Sequence, residues 1–244
     1  MRKLVLVHGR SQQNKDATAL KREWLDALHA GFRAAGIDTR IDEADVAFPY
    51  YGDTLAQLAD DVQVPAAEVI VAGPGDVGDG EREFIGAVVA EAVAKAGLGE
   101  ADIRAAAEAG LIELGPLNWP WVLAALRALD RSPGLSGAGI ALATRDVYTY
   151  LRNAGVQRVI DRGVVTAMAG GGDTVVVAHS LGTVVAYNPA DTVALHPLDH
   201  AHFPVTPTVD NYLGVHNPTP NRHGISGYLG DPVVARRVHD ALIG

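Results

Sequence analysis

Ser180 stands in Ala178-His179-Ser180-Leu181-Gly182, directly after the Val-rich run Thr174–Ala178 and directly before Thr183–Tyr187. A serine hydroxyl is a poor nucleophile near neutral pH. It needs a base in contact, an acid that orients the base, and N–H donors for the developing oxyanion. A tight turn between strand and helix presents such a serine, and small residues two before and two after it let the backbone pack closely, as in Gly-x-Ser-x-Gly. Here Ala178 adds one methyl group where that pattern has its first glycine. The alternative role for Ser180 is to cap the helix that follows. The strand running into the pentapeptide and the apolar helix start running out favour the nucleophile.

The elements that must position this serine are readable on both sides of it. Leu4–Val7 is a short run of Leu and Val, as in a strand buried on both faces of a parallel sheet. His8-Gly9-Arg10 ends it in a turn. Asp16 caps a predicted helix reaching about Ala35, with Leu20, Trp24, Leu25, Leu28 and Phe32 at helical spacing and Gly36 as its stop. A second strand is predicted near Asp45–Phe48. Helical stretches follow near Glu81–Ala96, Glu100–Glu113 and Trp119–Asp130, then a Gly- and Ser-rich stretch, Ser132–Gly139. Asp146 caps a further predicted helix, interrupted at Gly155 and Gly163, that runs to Met168. Thr174–Ala178 is the next buried strand. Beyond Tyr187 lie more than half of the 13 prolines, strand-like pieces at Thr192–Leu195 and Thr208–Val215, and a last amphipathic helix, Pro232–Ile243. This order predicts an α/β fold with a doubly wound, mostly parallel sheet. The expected organisation is one domain, 1–244, with 75–140 as a helical cap insertion over the sheet.

Val7-His8-Gly9 after the first strand, together with Ala178-His179-Ser180-Leu181-Gly182-Thr183-Val184-Val185-Ala186-Tyr187, resembles the α/β-hydrolase superfamily. The similarity is greatest to its bacterial esterase- and lipase-like members and covers most of the chain outside 75–140. The resemblance implies oxyanion donors at the N–H groups of Leu181 and Arg10, with Gly9 allowing close approach. It also implies the chain order serine, acid, histidine. Of the nine histidines, that order sets aside His8, His29 and His179, and His239 reads as a surface residue of the last helix. His223 lies in the loop Asn217–Gly224, between the last strand-like piece and the last helix, where superfamily members carry their base. Asp191 precedes Thr192-Val193, similar to the Asp-x-Val turn after the acid-bearing strand of related hydrolases. Asp199 is the alternative acid, and Asp210 reads as a structural residue.

The interval from Ser180 to His223 departs from that pattern. With about 5–6 residues per strand and 11–12 per helix, it holds one helix and two short strands, not the usual helix, two strands and a further helix. Tyr187-Asn188 runs straight into Pro189-Ala190-Asp191. The sheet is therefore expected to be reduced after the nucleophile strand.

Other motifs carry less. His196-Pro197-Leu198-Asp199-His200-Ala201-His202 is dense in metal-ligand types, but no His-Glu-x-x-His or comparable spacing supports a hydrolytic metal site. Gly73-Pro74-Gly75-Asp76 lacks the Gly-Lys-Ser/Thr ending of a phosphate loop. Trp119-Pro120-Trp121 either lines an acyl pocket or anchors a helix start. A net charge of −9 without clustered Lys and Arg argues against nucleic acid and anionic membrane as partners. Zero cysteines exclude thiolate chemistry and disulfides. The basic, then apolar start stops short of the ~7–15 apolar residues of an export signal, and nothing approaches the ~18 of a membrane span. The expectation is a cytoplasmic protein without membrane insertion, of open oligomeric state, using neither metal nor organic cofactor. It would cleave a small-molecule ester or thioester with a hydrophobic acyl portion. Two alternatives stand beside it: a non-catalytic relative that binds a ligand or partner, and a peptidase or acyltransferase on the same triad.

Overall fold

A computed structural model describes residues 2–9, 12, 14–53, 79–107, 115–133, 135–169, 172–179, 186, 188, 191, 198–201, 204–206, 208–220 and 222–244. The chain forms two compact units, one of Met1–Ala56 with Gln157–Gly244 and the other of Gln57–Val156.

The first unit is α/β. Its described strands are β1 (Lys3–Val7), β2 (Val46–Ala47) and β3 (Thr174–Ala178), and they form a parallel sheet in the order β2-β1-β3. β1 pairs with β3 from Lys3↔Thr174 to Val7↔Ala178 and with β2 at Leu4↔Val46 and Val5↔Ala47. Leu4 and Leu6 turn into the main core, and Val5 and Val7 are also buried, as a strand flanked on both sides requires. β3 differs from the expected buried strand. Val175 and Val177 pack on the core, but Val176 is 41% exposed. The physical reason is position: β3 stands at the edge of the described sheet, whereas β1 is central.

Three helices build this core. α1 (Ala17–Ala34) opens where Asp16 accepts the Ala19 N–H at 2.7 Å, and it buries Leu20, Trp24, Leu25, Leu28 and Phe32. The last two helices of the chain, α7 (Ile225–Leu229) and α8 (Pro232–Ile243), complete the core. Asp231 caps α8 through the N–H groups of Val233 and Val234, and Pro232 occupies the first turn, where its missing N–H costs nothing. Both α7 and α8 pack on α1. The approach of α7 is close enough to demand Gly31: a Cβ there would fall 2.3 Å from the Leu229 carbonyl oxygen. His239, expected at the surface, instead lies against the Phe32 ring with its Nε2 3.1 Å from Thr39 Oγ1.

The second unit is helical where it is described. α2 (Asp79–Lys95), α3 (Glu100–Ala106), α4 (Trp119–Arg131) and α5 (Gly137–Arg152) gather around α4. Trp119 and Trp121 of α4 are buried with Val122, Leu126 and Leu129. The helix expected from Asp146 starts earlier, because Ser136 Oγ accepts the Gly139 N–H at 2.9 Å and caps α5. The break before α6 (Ala154–Met168) comes at Asn153 rather than at Gly155 or Gly163. Asn153 Oδ1 accepts the N–H groups of Gly155 and Val156, so the strong capping residue decides the boundary and the glycines stay helical. The C-terminal end of α6 is fastened in the first unit, where Lys3 Nζ donates to the Ala167 and Ala169 carbonyls.

Candidate active site

β1 and β3 end side by side, and the His179 N–H donates to the Val7 carbonyl at 3.0 Å. His8 and His179 therefore leave the C-terminal edge of the sheet together, the edge where parallel α/β sheets carry their sites.

His8 is fully buried. The Tyr51 N–H donates to its Nε2 at 3.0 Å, so the proton sits on Nδ1, which donates to the Gly9 carbonyl at 2.7 Å. Tyr51 stacks on the imidazole with centroids 4.0 Å apart, and its hydroxyl donates to the His8 carbonyl. Burial pushes the His8 pKa below the ordinary histidine value, outweighing the Gly9 hydrogen bond that pulls it up, while Lys15 adds to the lowering. His8 is a neutral pin joining β1 to the segment after β2.

His179 is also neutral, but it reaches elsewhere. Its Nε2–H donates to the backbone carbonyl of His223 at 2.8 Å, and the two rings lie 4.7 Å apart. Its pKa falls to about 4, first through burial and then through the neighbouring His223 ring, against opposing contributions from the His223 carbonyl and Asp191.

His223 Nδ1 lies 2.7 Å from Asp191 Oδ2. A carboxylate accepts, so Nδ1 carries the proton, and in the neutral ring Nε2 holds the lone pair. Asp191 is fully buried, and the Tyr228 hydroxyl donates to the same Oδ2 at 2.7 Å. The alternative acid, Asp199, accepts the Ala201 N–H within its own turn.

The loop carrying His223 is tied by its own side chains. Asn217 is fully buried; its Nδ2 donates to the Gly224 carbonyl, and its Oδ1 accepts the Thr219 N–H and hydroxyl. Thr219 Oγ1 in turn accepts the Gly224 N–H at 3.0 Å. Arg222, immediately before His223, holds φ at +56°, which costs a non-glycine residue about 1 kcal/mol. Gly227 on α7 makes room for Asn217, since a Cβ there would lie 2.0 Å from Asn217 Oδ1.

No family model, curated protein or solved structure matches this chain. The site's chemistry therefore rests on its own geometry.

Of the residues predicted from sequence, His223 and Asp191 are brought together, and Gly9 is buried beside His8. Ser180, Leu181 and Arg10 lie outside the described residues, as do Thr192–Leu195, His196, His202 and the Gly73–Asp76 loop. Among the described residues, no three metal-ligating side chains are grouped to hold an ion, and no helix is long and apolar enough to cross a membrane. Sequence reading missed Tyr228, the His179 tie and the Asn217–Thr219 lock. An Asn before Pro is a turn signal that marks Asn217. Nothing local marks Tyr228, because five residues of α7 are too few to show a period.

Proposed function

We propose that the protein is a serine hydrolase of the α/β-hydrolase type, cleaving a carboxylic ester or thioester through an acyl-enzyme on Ser180. The observation that carries this reading is the 2.7 Å contact of His223 with the buried Asp191, beside the strand that leads into Ser180. A histidine whose Nδ1–H is held by a buried carboxylate presents a basic Nε2, the arrangement of an acyl-transfer base. In this scheme His223 Nε2 takes the Ser180 proton as the hydroxyl oxygen attacks the acyl carbon. Asp191 stabilises the imidazolium, and the N–H groups of Leu181 and Arg10 receive the oxyanion. The imidazolium then protonates the leaving alcohol or thiol. Water, deprotonated by the same ring, releases the acid and restores Ser180. The scheme draws on no metal and no organic cofactor.

A fluorophosphonate probe tests it. Wild type should label, S180A should not, and H223Q should label far more slowly. On p-nitrophenyl esters of graded chain length, Asp191→Asn should lower kcat by roughly 10⁴-fold, the effect of presenting the wrong tautomer. An unlabelled wild type, or S180A labelled equally, overturns the proposal.

A further inference from the structure

We infer that Tyr228 is a positioning residue that sets the proton affinity of His223 through Asp191. The inference rests on reading His223 as the base. Asp191 Oδ2 receives two donors at the same distance, the His223 ring N–H and the Tyr228 hydroxyl, both at 2.7 Å. The carboxylate is fully buried, and Tyr228 is 7% exposed. The contact has the features of a built one. α7 is seated on α1 through the close approach at Gly31, and Gly227, the residue before Tyr228, is fitted against Asn217 of the His223 loop. One five-residue helix thus fixes both the loop of the base and a donor for the acid.

A buried anion gains more from each donor than an exposed one, because water does not compensate for a missing hydrogen bond. With Tyr228 in place, the carboxylate is stabilised beside a neutral imidazole. Without its hydroxyl, the carboxylate depends more on its other partners, the His223 ring among them, and the histidine–carboxylate pair takes up a proton more readily. That sign holds wherever the proton resides within the pair, since the two groups titrate as one coupled unit. The other groups facing His223 among the described residues do not reverse it. His179, whose ring lies 4.7 Å from that of His223, is neutral across the working range, and Arg222 directs Nη1 to the Asn217 carbonyl. Tyr228 therefore shares with the His223 ring N–H the one carboxylate oxygen that both hold.

The test is a titration of the imidazole nitrogens by ¹H–¹⁵N NMR, with the His223 signals assigned from H223Q. In Y228F the His223 pKa should rise by about half a unit or more, the scale expected for losing one hydrogen bond to the charged group, and the acid limb of kcat/KM should move with it. A role confined to packing would change the melting temperature and leave both values in place. Site-specific 2,3-difluorotyrosine at position 228 keeps the ring and strengthens the donor, so it should lower the His223 pKa. That variant keeps the proposal falsifiable if Y228F fails to fold. A His223 pKa within about 0.2 unit of wild type in a folded variant overturns the inference. The NMR arm needs no turnover: a shifted pKa without Ser180 labelling defeats the hydrolase reading alone, and labelling without a shift defeats this inference alone.

Discussion

His8 follows β1 and His179 follows β3, at adjacent positions of two parallel strands, since Val7 pairs with Ala178. Both rings are neutral and both have lowered pKa values with burial as the first cause. Their hydrogen bonds separate them. His8 spends both ring nitrogens on its own turn and on Tyr51. His179 spends Nε2–H on the backbone of the loop that presents His223. The same residue type at equivalent strand ends therefore serves two purposes: one fastens the sheet to its next connection, and the other links the strand entering Ser180 to the proposed base. Substitutions should separate these purposes.

The largest effect is expected at His8. Replacing it by Ala leaves a cavity under Tyr51, Phe48 and Tyr50 and removes the acceptor for the buried Tyr51 N–H. Cavity and unpaired donor together should cost about 3–4 kcal/mol of unfolding free energy, measured by urea denaturation at pH 7. H8F, which refills the ring volume, should recover part of that loss but not the unpaired N–H, about 1–3 kcal/mol. If both variants match wild type in stability, His8 is no pin.

Acid sensitivity comes next. A histidine of pKa about 4 in the folded state and 6.5 unfolded binds more protons when unfolded throughout that window. Stability then rises with pH between the two values and falls as pH drops through them. For His179 alone the loss from pH 7 to pH 5 should be about 2 kcal/mol. H179F should flatten the stability-versus-pH curve over that interval, while His8 and His29, shifted in the same direction, keep the rest of the slope. An unchanged slope in H179F would remove His179 from the linkage.

How much of this was legible in the sequence depends on the length over which each signal runs. α1 was readable from an Asp cap before a sustained apolar stripe, and α8 from its apolar stripe alone. β1 and β3 were readable from their runs of Leu and Val, but the exposure of Val176 was not, since the number of neighbours a strand has is set by the sheet and not by the strand. The start of α5 was hidden by the glycines of 132–139, which mask the Ser136 cap. In the site, the choice of His223 and Asp191 came through resemblance, and the two side chains do meet. Tyr228 could not be foreseen, because its contact depends on α7 closing on α1 at Gly31, a tertiary event with no local pattern.

The smallest effect sharpens the comparison most. H179F keeps an aromatic ring against Trp24 and Tyr228 but loses the N–H that holds the His223 carbonyl. The stability lost at pH 7 should be about 1 kcal/mol, the net worth of one hydrogen bond. Turnover should respond differently. The loop 217–224 keeps its internal Asn217 and Thr219 bonds, so it stays folded while losing its tether to the strand end. A base displaced by a fraction of an ångström from its proton donor loses rate in the chemical step rather than in binding. The expected result is a kcat for ester hydrolysis lowered by about tenfold with KM little changed, since such an interaction acts on the reacting geometry rather than on ground-state binding. H8F, measured beside it at a temperature where both variants are folded, should lower kcat less than H179F does, because it spares the tether to the His223 loop and reaches the reaction only through the lost bond to the Gly9 carbonyl. If H8F loses as much kcat as H179F, the two strand ends do not divide their tasks in this way.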